Sequence, residues 1–260
     1  LKMSELTDKP FGVNLPLLYP QIDDHIKILI DEGVKIVFTS AGSPKKWTTF
    51  LQGHGITVVH VVSNVKFAKK CVESGVDAIV AEGFEAGGHN GREETTTMCL
   101  IPMVRQSVDI PLIAAGGIGT GRGMLAAMAL GAEAVQIGSR FIATPESSAH
   151  QKFKDYVLNA KEGDTELTLK ELTPVRLLKN QFYQEVQSAY QKGATKQELR
   201  QLLGRGRAKK GMFFGDLQEG ELEIGQISGF MNEIKPAAEV VEEIWQEFLV
   251  AKNELQNLSV

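Results

Sequence analysis

The sequence predicts an α/β fold built on a parallel sheet, a (β/α)₈ barrel, and three observations predict it. Short continuous apolar runs alternate with segments of helical period along the first 143 residues, as expected where a parallel sheet is covered on both faces. Three of those runs end in glycine-bearing corners: Glu82 to His89, Ala114 to Ile118, and Gln136 to Phe141. The last two corners follow the last two strands, where such a barrel often holds a phosphate. No Gly-x-Gly-x-x-Gly follows an early strand, which argues against a dinucleotide-binding Rossmann domain. About six strand units can be counted, whereas the closed barrel has eight.

In order, Lys9 to Leu15 is an apolar run closed by Pro16, a first strand whose end presents Asn14. Asn14 binds a ligand there or bonds its own backbone in a turn. Ile22, Ile26, Leu29 and Ile30 fall at helical spacing, and Gly33 supplies the stop before the β-branched strand Val34 to Thr39. The unit then repeats, with a helix over Lys45 to Gly53 and a strand over Ile56 to Val62. His60 within that strand reads as a hydrogen-bonded core residue, and Ser63 as the N-cap of a helix reaching Ser74.

Val76 to Ala81 is the strand before the first glycine corner. A helix follows over Met98 to Val108, with Pro102 placed near its start, where proline is tolerated. Ile110 to Ala115 and Ala132 to Ile137 are the last two strands, separated by a helix from Gly121 to Leu130. After Phe141 the character changes to amphipathic and polar segments. Helices are predicted over Ser147 to Leu158, Arg176 to Lys192 and Lys196 to Leu203, with a short strand at Leu167 to Leu169. Pro236 to Asn253, with Val240, Val241, Ile244, Trp245, Phe248 and Leu249 at helical spacing, is a closing amphipathic helix.

Composition narrows the function. The 260 residues are 43% hydrophobic and 23% charged, ordinary globular material. A formal charge of −4 argues against nucleic acid as the main partner. No apolar run approaches the roughly 18 to 20 residues of a membrane span, and the first residues lack a signal-peptide pattern, so the cytosol is the default compartment. Cys71 and Cys99 are far apart and show no zinc-ligand spacing, so no metal is expected. The basic run Arg205 to Lys210 reads as a solvated face, partly neutralised by the acidic run Asp216 to Glu223.

Glycines directly after a strand let backbone N–H groups approach a phosphate. Gly116, Gly117, Gly138 and Ser139 fit that need. His89, after two glycines and past a buried strand, carries an imidazole, a group suited to proton abstraction or to stabilisation of an anion. Its alternative is a loop histidine capping a neighbouring carbonyl. Glu85 orients a neighbouring group or bonds loop amides. With neither a carboxylate pair nor a Ser-His-Asp arrangement in view, the hard chemistry is assigned to a phosphate-bearing cofactor.

At these residues the chain resembles the nitronate monooxygenase family, formerly 2-nitropropane dioxygenases, related to the flavin-dependent enoyl-acyl-carrier-protein reductases. The matching stretches are Pro10 to Asn14, Gly83 to His89, Ile113 to Ile118, Gln136 to Phe141 and Gly225 to Gly229, with Glu85-Ala86-Gly87-Gly88-His89 the specific one. The resemblance implies an FMN-containing barrel, residues 1–143 with 230–260, that carries a smaller, mainly helical insertion over 144–229 and whose cofactor phosphate is held by Gly116, Gly117, Gly138 and Ser139. It also implies contacts to the cofactor from Asn14, Gly88, Gln136 and, out of the insertion, Gln226, with His89 facing the substrate.

The implied activity is oxidation of alkyl nitronates or nitroalkanes with O₂. The rivals are an NAD(P)H-dependent enoyl-thioester reductase whose basic run docks an acidic carrier protein, a flavin- or phosphate-binding module without turnover, and a cofactor-free isomerase. The partners implied are a small-molecule substrate and O₂, with a homodimer as the assembly. Family members begin with two further strand units, so the sequence is expected to be a fragment whose barrel would not close.

Overall fold

The computed structural model describes residues 2–257. After a short helix α1 (Lys2–Leu6), strand and helix alternate: β1 (Gly12–Pro16), α2 (Ile22–Asp31), β2 (Ile36–Ser40), α3 (Thr48–Gln52), β3 (Thr57–Val62), α4 (Val65–Glu73) and β4 (Ala78–Glu82). A two-residue strand β5 (Gly88–His89) leaves this pattern, which resumes with α5 (Thr97–Arg105), β6 (Leu112–Ala115), α6 (Gly121–Ala129) and β7 (Ala134–Gln136). Strands β1, β2, β3, β4, β6 and β7 lie in that order in one parallel sheet. The sheet curls into a half-barrel with the helices outside, so the predicted α/β barrel architecture holds. Among the described residues β1 and β7 do not pair with each other, and the sheet is open between them.

Both faces of the sheet are apolar, the outer one fully covered by helices and the inner one lining the half-barrel. Val37, Val58, Val62, Ile79, Leu112 and Ala114 turn outward onto Ile26, Leu51, Ala68, Leu100, Ile101 and Val104 of the helix layer. The alternate residues Ile36, Phe38, Val59, Val61, Val80, Ile113 and Ala115 line the inside. Each large aliphatic side chain buried this way contributes about 1.5 to 3 kcal/mol. Asn14 falls on the inner face of the edge strand β1, in register with Phe38, and is exposed.

His60 is the core residue the sequence indicates: it is 4% exposed, with Nδ1 2.7 Å from the Thr39 hydroxyl. Burial lowers its pKa to about 4. Two local expectations are corrected. The cap of α4 is Asn64, not Ser63, because the Asn64 carboxamide oxygen accepts from the Phe67 amide at 2.8 Å. Pro102 lies inside α5 rather than at its start, since the helix begins at Thr97 and ends at Arg105.

The chain then builds α7 (Gln151–Leu158), β8 (Thr165–Thr168), β9 (Val175–Leu178), α8 (Gln181–Gln191), α9 (Lys196–Leu203) and α10 (Arg207–Met212). Here the helix predicted from Arg176 is wrong at its start. Val175–Leu178 is a strand buried at every position, and it pairs antiparallel with both β8 and β5. A fully buried strand has no polar face, so Val-Arg-Leu-Leu carries no period of two to distinguish it from helix. The helix proper starts after Asn180, whose side chain accepts from the Tyr183 amide.

The basic run is also not a simple solvated face. The half-buried Arg207 donates to the carbonyls of Leu202, Leu203 and Glu219, and its guanidinium lies 4.4 Å from the centre of the Phe182 ring. Arg207 and Lys210 pair with Glu219 and Asp216, members of the acidic run that follows.

The final helix, α11 (Ala237–Gln256), lies against α6. Gly121 makes the approach close: a Cβ there would stand 2.2 Å from the Phe248 nitrogen and 2.3 Å from the Ile244 carbonyl oxygen. No helix among the described residues is long and apolar enough to cross a membrane.

Candidate active site

The three glycine corners meet at the C-terminal end of the sheet because parallel strands in sequence order place their exits side by side. In the first corner Glu85 turns back, and its carboxylate accepts from the Thr97 amide at 3.0 and 2.9 Å, holding the start of α5. Its carboxylate also accepts from the Thr97 hydroxyl at 3.1 Å, so Glu85 both bonds an amide, that of the first residue of α5, and orients a neighbouring group. The Thr97 hydroxyl then donates to the Gly116 carbonyl at 2.7 Å, tying the first corner to the second. Gly116 has φ +90°, and a Cβ on it would stand 2.5 Å from the Gly83 carbonyl oxygen. No other residue fits that conformation and that contact.

Residues 223–226 lie across these corners. The Gly225 amide donates to the Ser139 hydroxyl at 2.9 Å, and the Gln226 amide donates to the Glu85 carbonyl at 2.9 Å. The backbones of Gly87 and Ile224 also touch, since a Cβ on Gly87 would lie 2.5 Å from the Ile224 carbonyl carbon. The buried Arg176 fixes the corner from beneath, donating from Nε to the Phe84 carbonyl at 3.0 Å.

These contacts enclose a cavity of about 260 Å³. Of the residues the sequence singled out, Gly88, Gly116, Gly117, Gln136, Gly138 and Ser139 line it. Three others do not. His89 is exposed beside the cavity on β5, paired with Val175; Gln226 is exposed; and Asn14 stands on the open edge strand. Among the described residues the amides of Gly117 and Gly138 have no hydrogen-bond partner, so both are available to an anion. Gly138 has no atom within 4 Å of the place a Cβ would take, which leaves its side open.

The structure adds acidic groups that residue-by-residue reading passed over. Glu82, at the end of β4, and Glu223 both line the cavity, and burial pushes each carboxyl up to about 7. Glu221, 6% exposed, is also pushed up to about 7, by burial and then by the neighbouring Glu223, while His89 and Arg207 oppose the rise. One signal for the latter two was present. In Glu221-Leu222-Glu223-Ile224 charged and apolar residues alternate, and Leu222 and Ile224 are buried in the core around Phe153 and Val157.

A parallel half-barrel with free glycine amides at its strand ends, beside carboxyls and a histidine, defines an α/β-barrel protein with a cavity at the C-terminal end of its sheet. The model of the nitronate monooxygenase family matches residues 1–247, and the chain belongs to that family of oxidoreductases.

Among solved structures, FabK from Thermotoga maritima is 40% identical with a TM-score of 0.92, covering 98% of this chain and 81% of that one. A nitroalkane oxidase from Streptomyces ansochromogenes is 28% identical with a TM-score of 0.82, covering 98% and 84%. A probable nitronate monooxygenase of Staphylococcus saprophyticus is 36% identical over 174 residues, 62% of this chain and 49% of that protein. An indene-carboxyl-CoA dehydrogenase of Rhodococcus jostii is 38% identical over 169 residues, 65% and 47%. The matched stretch thus spans about half the length of these last two relatives.

Proposed function

We propose that the protein binds FMN in this cavity and oxidises alkyl nitronates or nitroalkanes with O₂. The observation that carries the reading is the pair of unpartnered amides, Gly117 and Gly138, on facing corners of one cavity, with a glycine cradle that side chains would fill. Such a donor set fits a phosphate dianion. Gly116, Gly117, Gly138 and Ser139 would hold that phosphate, with Gly88 and Gln136 beside the rest of the cofactor. FMN supplies the electron-accepting chemistry and its reoxidation by O₂.

The protein's own residues bind and orient. His89 at the rim presents a hydrogen-bonding, protonatable ring to an anionic nitronate entering the cavity. Asn14 and Gln226, which stand outside the cavity lining, would meet the cofactor only where it extends beyond the cavity toward the open edge strand and the segment laid over the corners. The division into residues 1–143 with 230–260 and a smaller domain 144–229 draws support from the apolar cluster around Phe182, whose members all belong to the smaller domain.

A second reading has its own support, the 40% identity to FabK. It makes the protein an FMN-dependent enoyl-thioester reductase that takes electrons from NAD(P)H. One experiment separates them: the absorption spectrum of the purified protein, taken anaerobically before and after NADH or a nitronate. Bleaching of a flavin spectrum by nitronate alone supports the oxidase; rapid bleaching by NADH supports the reductase. A protein that takes up no FMN refutes both.

A further inference from the structure

We propose that Asn90 is a positioning residue of the site: its carboxamide holds closed the two-glycine turn before His89 and so sets where the imidazole stands at the cavity rim. The inference rests on the oxidase reading above for what His89 does there, and on the contacts of Asn90 for how it is held. Gly87 and Gly88 are both needed by the corner. A Cβ on Gly87 would stand 2.5 Å from the Gly225 nitrogen, and one on Gly88, at φ +76°, 2.8 Å from Glu223 Oε2. Two glycines in succession, however, leave the backbone free over a wide range of φ and ψ, so nothing local fixes the residue that follows them.

Asn90 supplies the missing constraint. Its Nδ2 donates to the Ala86 carbonyl at 2.9 Å and to the Gly88 carbonyl at 3.0 Å, one hydrogen to each. The carboxamide cannot be turned over, because Oδ1 would then face two carbonyl oxygens. Oδ1 is itself buried with no partner among the described residues, so what this side chain contributes lies in its two donors. The backbone completes the arrangement. The Asn90 amide donates to the Pro174 carbonyl at 2.9 Å, next to the pairing of His89 with Val175. Strand β9 is tied to the same corner by Arg176, whose Nε donates to the Phe84 carbonyl. The histidine is therefore held from β9 by pairing and from its own loop by the Asn90 side chain.

The test follows the His89 ring directly. In protein isotope-labelled at histidine Cε1, the NMR signal among those of the five histidines that is lost in His89→Ala belongs to His89. Asn90→Ala should shift that signal while leaving the signal of the buried His60 in place. Asn90→Asp, alike in shape but with an oxygen turned onto the two carbonyls, should shift it as well. A His89 signal unmoved in both variants overturns the proposal.

A double-mutant cycle gives the functional readout. With a nitronate as substrate, Asn90→Ala should lower kcat/KM roughly fivefold when His89 is present and cause no further loss in His89→Ala, while the FMN Kd stays within about threefold throughout. Equal losses in the two backgrounds mark a purely structural role and overturn the proposal. If no nitronate bleaches the flavin of the wild-type protein, the oxidase reading falls, and the His89 signal alone decides the assignment of Asn90.

Discussion

Gly138→Ala separates a glycine required by the fold from one required by a ligand. Gly138 has φ −108°, a conformation any residue adopts, and its Cβ position has nothing within 4 Å. The added methyl meets no protein atom, so folding stability should change by no more than about 0.5 kcal/mol. In the cavity, however, the methyl takes up space beside an unpartnered amide proposed to bind the FMN phosphate. Loss of one charge-assisted hydrogen bond costs about 1.5 to 3 kcal/mol, which is about a ten- to hundredfold weaker Kd.

The assay is titration of flavin-free protein with FMN, followed by flavin fluorescence, alongside thermal unfolding without FMN. Gly116→Ala is the control of opposite kind. Its φ of +90° and its 2.5 Å approach to the Gly83 carbonyl should lower Tm even without cofactor. An unchanged FMN Kd for Gly138→Ala, at an unchanged Tm, would remove Gly138 from the phosphate site.

Three further outcomes follow from named contacts. His89→Ala should retain FMN and raise the KM for a nitronate about tenfold, because the ring lies beside the cavity and supplies binding; steady-state oxygen consumption measures both constants. His60 has its pKa lowered from 6.5 to about 4, so the folded state favours the neutral ring. Its stabilisation is whole above pH 6.5 and is lost as pH falls toward 4, a loss of about 3 kcal/mol; in His60→Leu, urea midpoints at pH 7 and pH 4.5 should differ less than in wild type. Arg207→Met orphans the carbonyls of Leu202, Leu203 and Glu219 and should cost about 3 kcal/mol in urea unfolding, whereas Arg205→Ala should cost under about 0.5 kcal/mol.

What was legible in the sequence was whatever the backbone enforces locally. Runs such as Thr57–Val62 and Ala78–Glu82 betray strands because both faces are apolar, and the glycine corners betray strand exits because residues such as Gly116 cannot carry a Cβ. Side-chain commitments made across the chain left no such trace. Asn64 and Ser63 are both competent caps, and only the backbone entry angle chooses between them. Arg207 sits in a string of cations whose composition looks solvated, yet three carbonyls and an aromatic ring claim it.

The acidic groups make the same point where it matters most. A glutamate reads as solvent-facing by default, because burying an unpaired carboxylate is costly. Glu82 and Glu223 defeat that default by standing at the mouth of a cavity, where a raised pKa removes much of the cost. The alternation Glu221-Leu222-Glu223-Ile224 carries the clue. Once Leu222 and Ile224 are known to be core, the two carboxyls must share the other face, and only the fold reveals that Glu223, on this face, lines the cavity beside His89.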